Sequence, residues 1–81
     1  MSLARYFVFE RDDDWLVTLD GTPLARHGNR EAAISSAIVM ADLMGAMQHD
    51  ADVMIETHGE LEIAWTYGVD PLPGQAGAAA R

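Results

Sequence analysis

Histidines at 27, 49 and 58, three aspartates at 12–14, and serines at 2, 35 and 36 are the side chains here whose types could support catalysis or hold a cation. A histidine metal site needs ligands at converging spacing, such as a pair four residues apart on a helix. His27, His49 and His58 show no such spacing, even when Asp50 and Asp52 are added. His58 falls in a turn, and His27 and His49 flank helix ends, so all three read as solvated histidines. The carboxylates of Asp12, Asp13 and Asp14 splay apart along the chain, whereas a hard cation needs further oxygens converging from elsewhere. The serines lack a Gly-rich elbow. Gly74-Gln-Ala-Gly77 neither follows a strand nor opens a helix, as a phosphate loop would. The residues thus lead us to expect no catalytic residue, no metal and no cofactor, and a chain that is not an enzyme.

Composition narrows the partners. The chain has 81 residues, enough for one small domain, with 49% hydrophobic and 22% charged residues. Thirteen acids against five arginines, with no lysine, give a net charge of −8. Such a chain offers little to a phosphate backbone, so no nucleic-acid partner is expected. No apolar run reaches the roughly 20 residues that span a bilayer, so no membrane partner is expected either. Cysteine is absent, which excludes disulfides and thiol chemistry. The first residues lack the pattern of a signal peptide, which makes the cytoplasm the expected compartment.

The elements that would position these residues follow from periodicity. Residues 5–11 are aromatic and β-branched with apolar side chains on both faces, as in a central strand. Residues 15–19 form a second strand, with Trp15, Val17 and Leu19 on one face. Asp20-Gly21 predicts a two-residue hairpin, because both residues tolerate positive φ. Residues 22–27 then make a short edge strand, since Pro23 cannot donate to a ladder. Asn29 is a good N-cap for a helix from about 30 to about 47. Its buried face is expected to gather Ala33, Ala37, Met40, Met44 and Met47. After His49 the period returns to two: residues 52–57 form strand four, His58-Gly59 a turn, and residues 60–67 strand five. Leu61, Ile63, Trp65 and Tyr67 share one face of that last strand.

The expected fold is therefore α+β, a two-layer βββαββ arrangement with one helix packed on a mainly antiparallel five-stranded sheet. Residues 1–68 form the domain and 69–81 a flexible tail. Two strand orders are compatible with the chain, 3-2-1-5-4 with every pair antiparallel and 3-2-1-4-5 with one parallel pair. The longer, more aromatic strand five favours the first. A core this small is thin, yet two apolar surfaces remain over. One is a strip of Ile34, Ile38, Ala41 and Gly45 on the flank of the helix. The other is the uncovered sheet face, with Tyr6 or Phe7, Leu16 and Met54. Ile34, Ile38, Ala41, Gly45, Leu16 and Met54 are therefore the candidate interaction residues, and a homodimer is the expected state.

Two families share features with this pattern. A first strand like Tyr6-Phe-Val8, an acidic turn, Trp15-Leu-Val17, Gly21, an Ala-rich helix opened by Glu31-Ala32, and a closing Trp65-Thr-Tyr-Gly68 with Asp70-Pro71 resemble a family of small bacterial domains with no assigned activity. That resemblance covers most of residues 5–71 and implies the fold. Residues 6–47 also resemble, more weakly, the βββα core of antitoxin domains with a partial ribonuclease H-like fold. There the stretch before the helix is usually Pro-x-x-x-Gly-Cys, whereas here it is Thr22-Pro-Leu-Ala-Arg-His27. The second resemblance implies an acidic inhibitor of a basic ribonuclease-type partner, using Asp12, Asp13, Asp14, Glu60 and Glu62.

Overall fold

The computed structural model of the chain describes residues 3–72. Their order is β1 (Leu3–Arg11), β2 (Asp14–Leu19), β3 (Thr22–His27), α1 (Arg30–Ala46), β4 (Asp50–Thr57) and β5 (Glu60–Thr66). The fold is α+β. No helix among the described residues is long and apolar enough to cross a membrane.

Three two-residue turns set the hairpins. Asp12 and Asp13 have φ of 53° and 69°, Asp20 and Gly21 of 54° and 81°, and His58 and Gly59 of 54° and 82°. Positive φ at both central residues matches the right-handed twist of the flanking strands. Only two of the three aspartates are needed for this, so Asp14 already belongs to β2, opposite Arg11.

Asn29 caps α1, its side-chain oxygen accepting from the Ala32 N–H at 2.8 Å. The helix ends where Gln48 turns to φ 71°. The His49 N–H then donates to the Met44 carbonyl and the Gln48 N–H to the Gly45 carbonyl, which satisfies two of the acceptors in the last turn.

The strand order is β3-β2-β1-β4-β5, with β1 and β4 parallel and the other pairs antiparallel. The order 3-2-1-5-4, favoured above by the length of strand five, is thereby corrected. Burial on both faces decides the matter. In β4, Ala51, Asp52, Val53 and Ile55 are all buried, as suits an inner strand. Glu60 and Glu62 keep β5 at the edge, where carboxylates stay wet.

One sheet face carries α1. Ala4, Tyr6, Val8, Val17, Ala51, Val53, Ile55 and Trp65 meet Ala33, Ala37, Ile38 and Ala41 there. The buried residues of the helix also include Gly45. This corrects the expected helix orientation: Ile38, Ala41 and Gly45 lie in the core, Met40 and Met44 at its margin, and Met47 is exposed. The reason is size. Ala33, Ala37, Ala41 and Gly45 form a ridge of small residues four apart, and a low ridge lets the helix settle close to the sheet. At Gly45 a Cβ would run into the Tyr67 ring.

A second correction concerns β5. Val53 pairs with Trp65 but Met54 with Ile63, so Ala64 is an extra residue in the ladder. This β-bulge breaks the alternation. Trp65 enters the core, while Ile63 and Leu61 fall on the opposite face, 58% and 57% exposed. Beyond β5, residues 69–72, assigned to the tail above, are tied back. The Trp65 Nε1 donates to the Pro71 carbonyl at 3.0 Å, and the Thr66 N–H to an Asp70 carboxylate oxygen at 2.9 Å. Leu72 packs against the core. The rest of the expected tail, 73–81, lies outside the described residues.

Candidate functional site

The sheet face opposite α1 is built by the alternate residues of each strand. Since Tyr6 and Val8 face the helix, Arg5, Phe7 and Phe9 occupy the other side. Register then places Pro23, Thr18, Phe7, Met54 and Ile63 in one row across all five strands. A second row holds Arg26, Leu16 and Phe9. Leu16 and Thr18 are buried between their cross-strand neighbours, while Phe7, Phe9 and Met54 are half-buried. Among the described residues no element lies across this face.

Of the candidate interaction residues, Leu16 and Met54 lie here, and Phe7 joins them in place of Tyr6, which is under the helix. Ile38, Ala41 and Gly45 are buried inside the protomer and present no surface, and Ile34 packs at the core margin. The helix-flank surface is thus corrected: it is the core face. Phe9, Leu61 and Ile63 complete the sheet face. The aromatic content of strand one pointed to Phe9, but the two β5 residues depend on a bulge that alternation alone cannot reveal.

Charge on this face is arranged differently from the rest of the chain. Arg5 grips Asp52 with two donors, Nε to Oδ1 at 2.9 Å and Nη2 to Oδ2 at 2.8 Å. Asp52 is nearly enclosed, its side chain 8% exposed, while that of Arg5 is 41% exposed. The hydrogen bond first, and Coulomb attraction second, hold the Arg5 guanidinium above its ordinary pKa. Arg26 reaches Asp14 at 3.4 Å in an exposed pair of little energetic weight. The Arg11 guanidinium lies 5.7 Å from the centre of the Phe9 ring. By register, three arginines (5, 11 and 26) share the face with four carboxylates (Asp14, Asp50, Asp52 and Glu56), a formal −1. The whole chain carries −8.

At the end of the sheet, beside the start of α1, lies a cleft of about 460 Å³ lined by Glu10, Trp15, Arg30, Glu56, Thr57, His58 and Gly59. The Thr57 hydroxyl in its lining is buried without a hydrogen-bond partner, so none of the basic groups beside it, Glu10, Glu56 or His58, is hydrogen-bonded to it. The acidic character of the cleft follows from the parallel β1–β4 pair, which carries the ends of both strands to one side. His27 stands at the end of β3, where its Nε2 is buried without a hydrogen-bond partner. Among the described residues no group of three His, Asp or Glu side chains converges as a metal site would require. Trp65 serves the core: it is buried and meets Tyr67 edge-to-face, with ring centres 6.2 Å apart. Compared with protein-family models, with curated proteins and with solved structures, the chain matches none of them.

Proposed function

We propose that this chain is a non-catalytic interaction module that pairs with a second copy of itself through the outer face of its sheet. The uncovered row of Phe7, Met54 and Ile63, with Phe9 and Leu61 beside it, carries this reading. Exposed apolar surface of this extent is costly in water unless covered. Both sheet edges are guarded: β3 by Pro23 and an extra residue at Leu24, β5 by Glu60, Glu62 and the bulge at Ala64. Pairing is therefore face to face rather than edge to edge. Five strands about 4.8 Å apart, each about six residues long at ~3.3 Å, give a footprint of roughly 24 by 20 Å. Two such footprints total on the order of 1,000 Å² before side-chain relief is added, which meets the lower bound for a specific interface. The near-neutral face also lets two acidic chains meet without bringing their excess carboxylates together.

Sedimentation of the purified chain tests this. We expect twice the 8.8 kDa of one chain, and a shift to one chain in Ile63→Glu, whose exposed position leaves the fold intact by circular dichroism. A wild-type monomer at high micromolar concentration, or a dimer indifferent to Ile63→Glu, overturns the reading.

One observation favours a second reading, an acidic inhibitor of a basic ribonuclease-type partner. Because β1 and β4 are parallel neighbours, the turns at Asp12-Asp13 and His58-Gly59 stand side by side, with Glu10, Glu56 and Glu60 near them. Such an end suits a basic surface. Loss of inhibition in Asp12→Asn with Asp13→Asn, and its retention in Ile63→Glu, would single out this reading.

A further inference from the structure

At one end the sheet outruns the helix that covers it. Trp15 stands opposite His27, and Glu10 opposite Trp15. Continuing the parallel register two steps past Val8 and Ile55 sets Thr57 beside Glu10. All four residues lie on the helix side of the sheet, because each alternates with a residue of the outer face. Gly28 and Asn29 alone link β3 to α1, so the helix begins over this end of the sheet, with Arg30 its first residue. The cleft described above is the space so left. Glu10 and Thr57 form its floor, Trp15 one wall, the His58-Gly59 turn the other, and Arg30 its rim. Its volume of about 460 Å³ falls within the ~300–1,000 Å³ of small-molecule sites.

Opposite charges share this cleft without neutralising each other. Glu10 and Arg30 both line it, yet neither forms an ion pair with a described residue. Unmet polarity collects in the same row. Among the described residues, the buried side-chain polar atoms without a hydrogen-bond partner are His27 Nε2 and Thr57 Oγ1. Of these, Thr57 belongs to the lining. A buried hydroxyl left unsatisfied is costly, and a ligand N–H that reaches it removes the cost.

We infer that this cleft binds a small zwitterion, a free α-amino acid with an apolar side chain. Its ammonium donates to Glu10 and to Thr57 Oγ1, its carboxylate meets Arg30, and its side chain lies along Trp15. A plain cation would meet the adverse charge of Arg30, and a plain anion that of Glu10. Glu10 and Thr57 are both acceptors, so the cationic group must bring N–H donors, which a quaternary ammonium lacks. Arg30 opens α1, where the positive end of the helix dipole adds to its pull on a carboxylate. The indole of Trp15 supplies a flat apolar wall. This site lies across the sheet from the outer face, and it does not use Asp12 or Asp13, so it stands apart from both readings above.

Calorimetry on the whole chain tests the inference with leucine, phenylalanine, and two probes that each lack one charge of phenylalanine, phenethylamine and 3-phenylpropanoate. We expect leucine and phenylalanine to bind saturably, and both truncated probes to bind roughly tenfold more weakly than phenylalanine. Glu10→Gln should weaken phenylalanine and phenethylamine but not 3-phenylpropanoate. Arg30→Gln should weaken phenylalanine and 3-phenylpropanoate but not phenethylamine. Both positions are exposed, so the circular dichroism spectrum should not change. Thr57→Val should weaken phenylalanine and raise the melting temperature of the ligand-free chain, because it removes a hydroxyl without a partner. No saturable heat from either amino acid at millimolar concentration overturns the inference. Phenethylamine binding as tightly as phenylalanine also overturns it, and would mark an acidic end open to any cation. Phenylalanine binding that both Glu10→Gln and Arg30→Gln leave unchanged would place the ligand elsewhere and overturn it too. None of these outcomes bears on the pairing of sheet faces, which Ile63→Glu tests.

Discussion

Tyr6 shows how one side chain ties the core to pH. It sits beneath α1, and burial pushes its phenol pKa above the ordinary 10.0 because the phenolate would lose its hydration. The folded state therefore holds the proton more tightly than the unfolded chain does. Its contribution to stability is complete below about pH 10 and is lost as pH rises through the elevated folded value. We expect the urea midpoint of the wild type to fall between about pH 9 and pH 11, and that of Tyr6→Phe to fall less. Equal losses in the two proteins would show that Tyr6 does not govern the alkaline limb. Arg5 is different. Its partner Asp52 strengthens a charge already present at every ordinary pH, so Arg5 holds β1 in register against β4 and is not itself a switch.

Among the elements, α1 carries the sharpest prediction. Alanine exceeds glycine as a helix former by roughly 0.8–1 kcal/mol. At Gly45, however, the added methyl collides with the Tyr67 ring, and overpacking costs about 1–3 kcal/mol. Gly45→Ala should therefore destabilise the wild type by about 1 kcal/mol and stabilise a Tyr67→Ala background, a sign change that thermal unfolding of the four proteins would read. Much of this layer was legible beforehand. Asp20-Gly21, His58-Gly59 and Asn29 announce their turns and cap through local chemistry, and β1 reads as central because Tyr6 to Phe9 are apolar on both faces. What escaped was decided by contacts across the chain. Nothing local marks Ala64 as the extra residue that turns Ile63 outward. The helix orientation depends on how close small residues let it approach the sheet, which hydrophobicity does not encode, so periodicity alone assigns Ile38, Ala41 and Gly45 to a surface. Leu16 and Met54 were placed correctly because simple alternation holds through both.

For the whole molecule, shape and charge act together. The body measures 37 × 34 × 21 Å, a slab with apolar ground on its outer sheet face and a charge of −8. Raising ionic strength from roughly 0.01 M to roughly 1 M shortens the screening length from about 30 Å to about 3 Å. Association between copies should tighten several-fold over that range, because it is like-charged surroundings that are screened. Capture of a basic partner by the acidic end should weaken over the same range. Sedimentation in the two buffers distinguishes them by the sign of the change.

The parallel seam between β1 and β4 has a consequence for the order in which the molecule is made. β1, β2 and β3 can zip together through turns of two residues, as soon as that stretch leaves the ribosome. The other side of β1 must wait for a partner 47 residues further on, as the Arg5–Asp52 clasp records. Distant pairings of this kind set the pace of folding. The last junction to form therefore runs down the middle of the finished sheet rather than along its rim, and a nascent chain halted before residue 50 would offer the backbone edge of β1 unpaired to its neighbours.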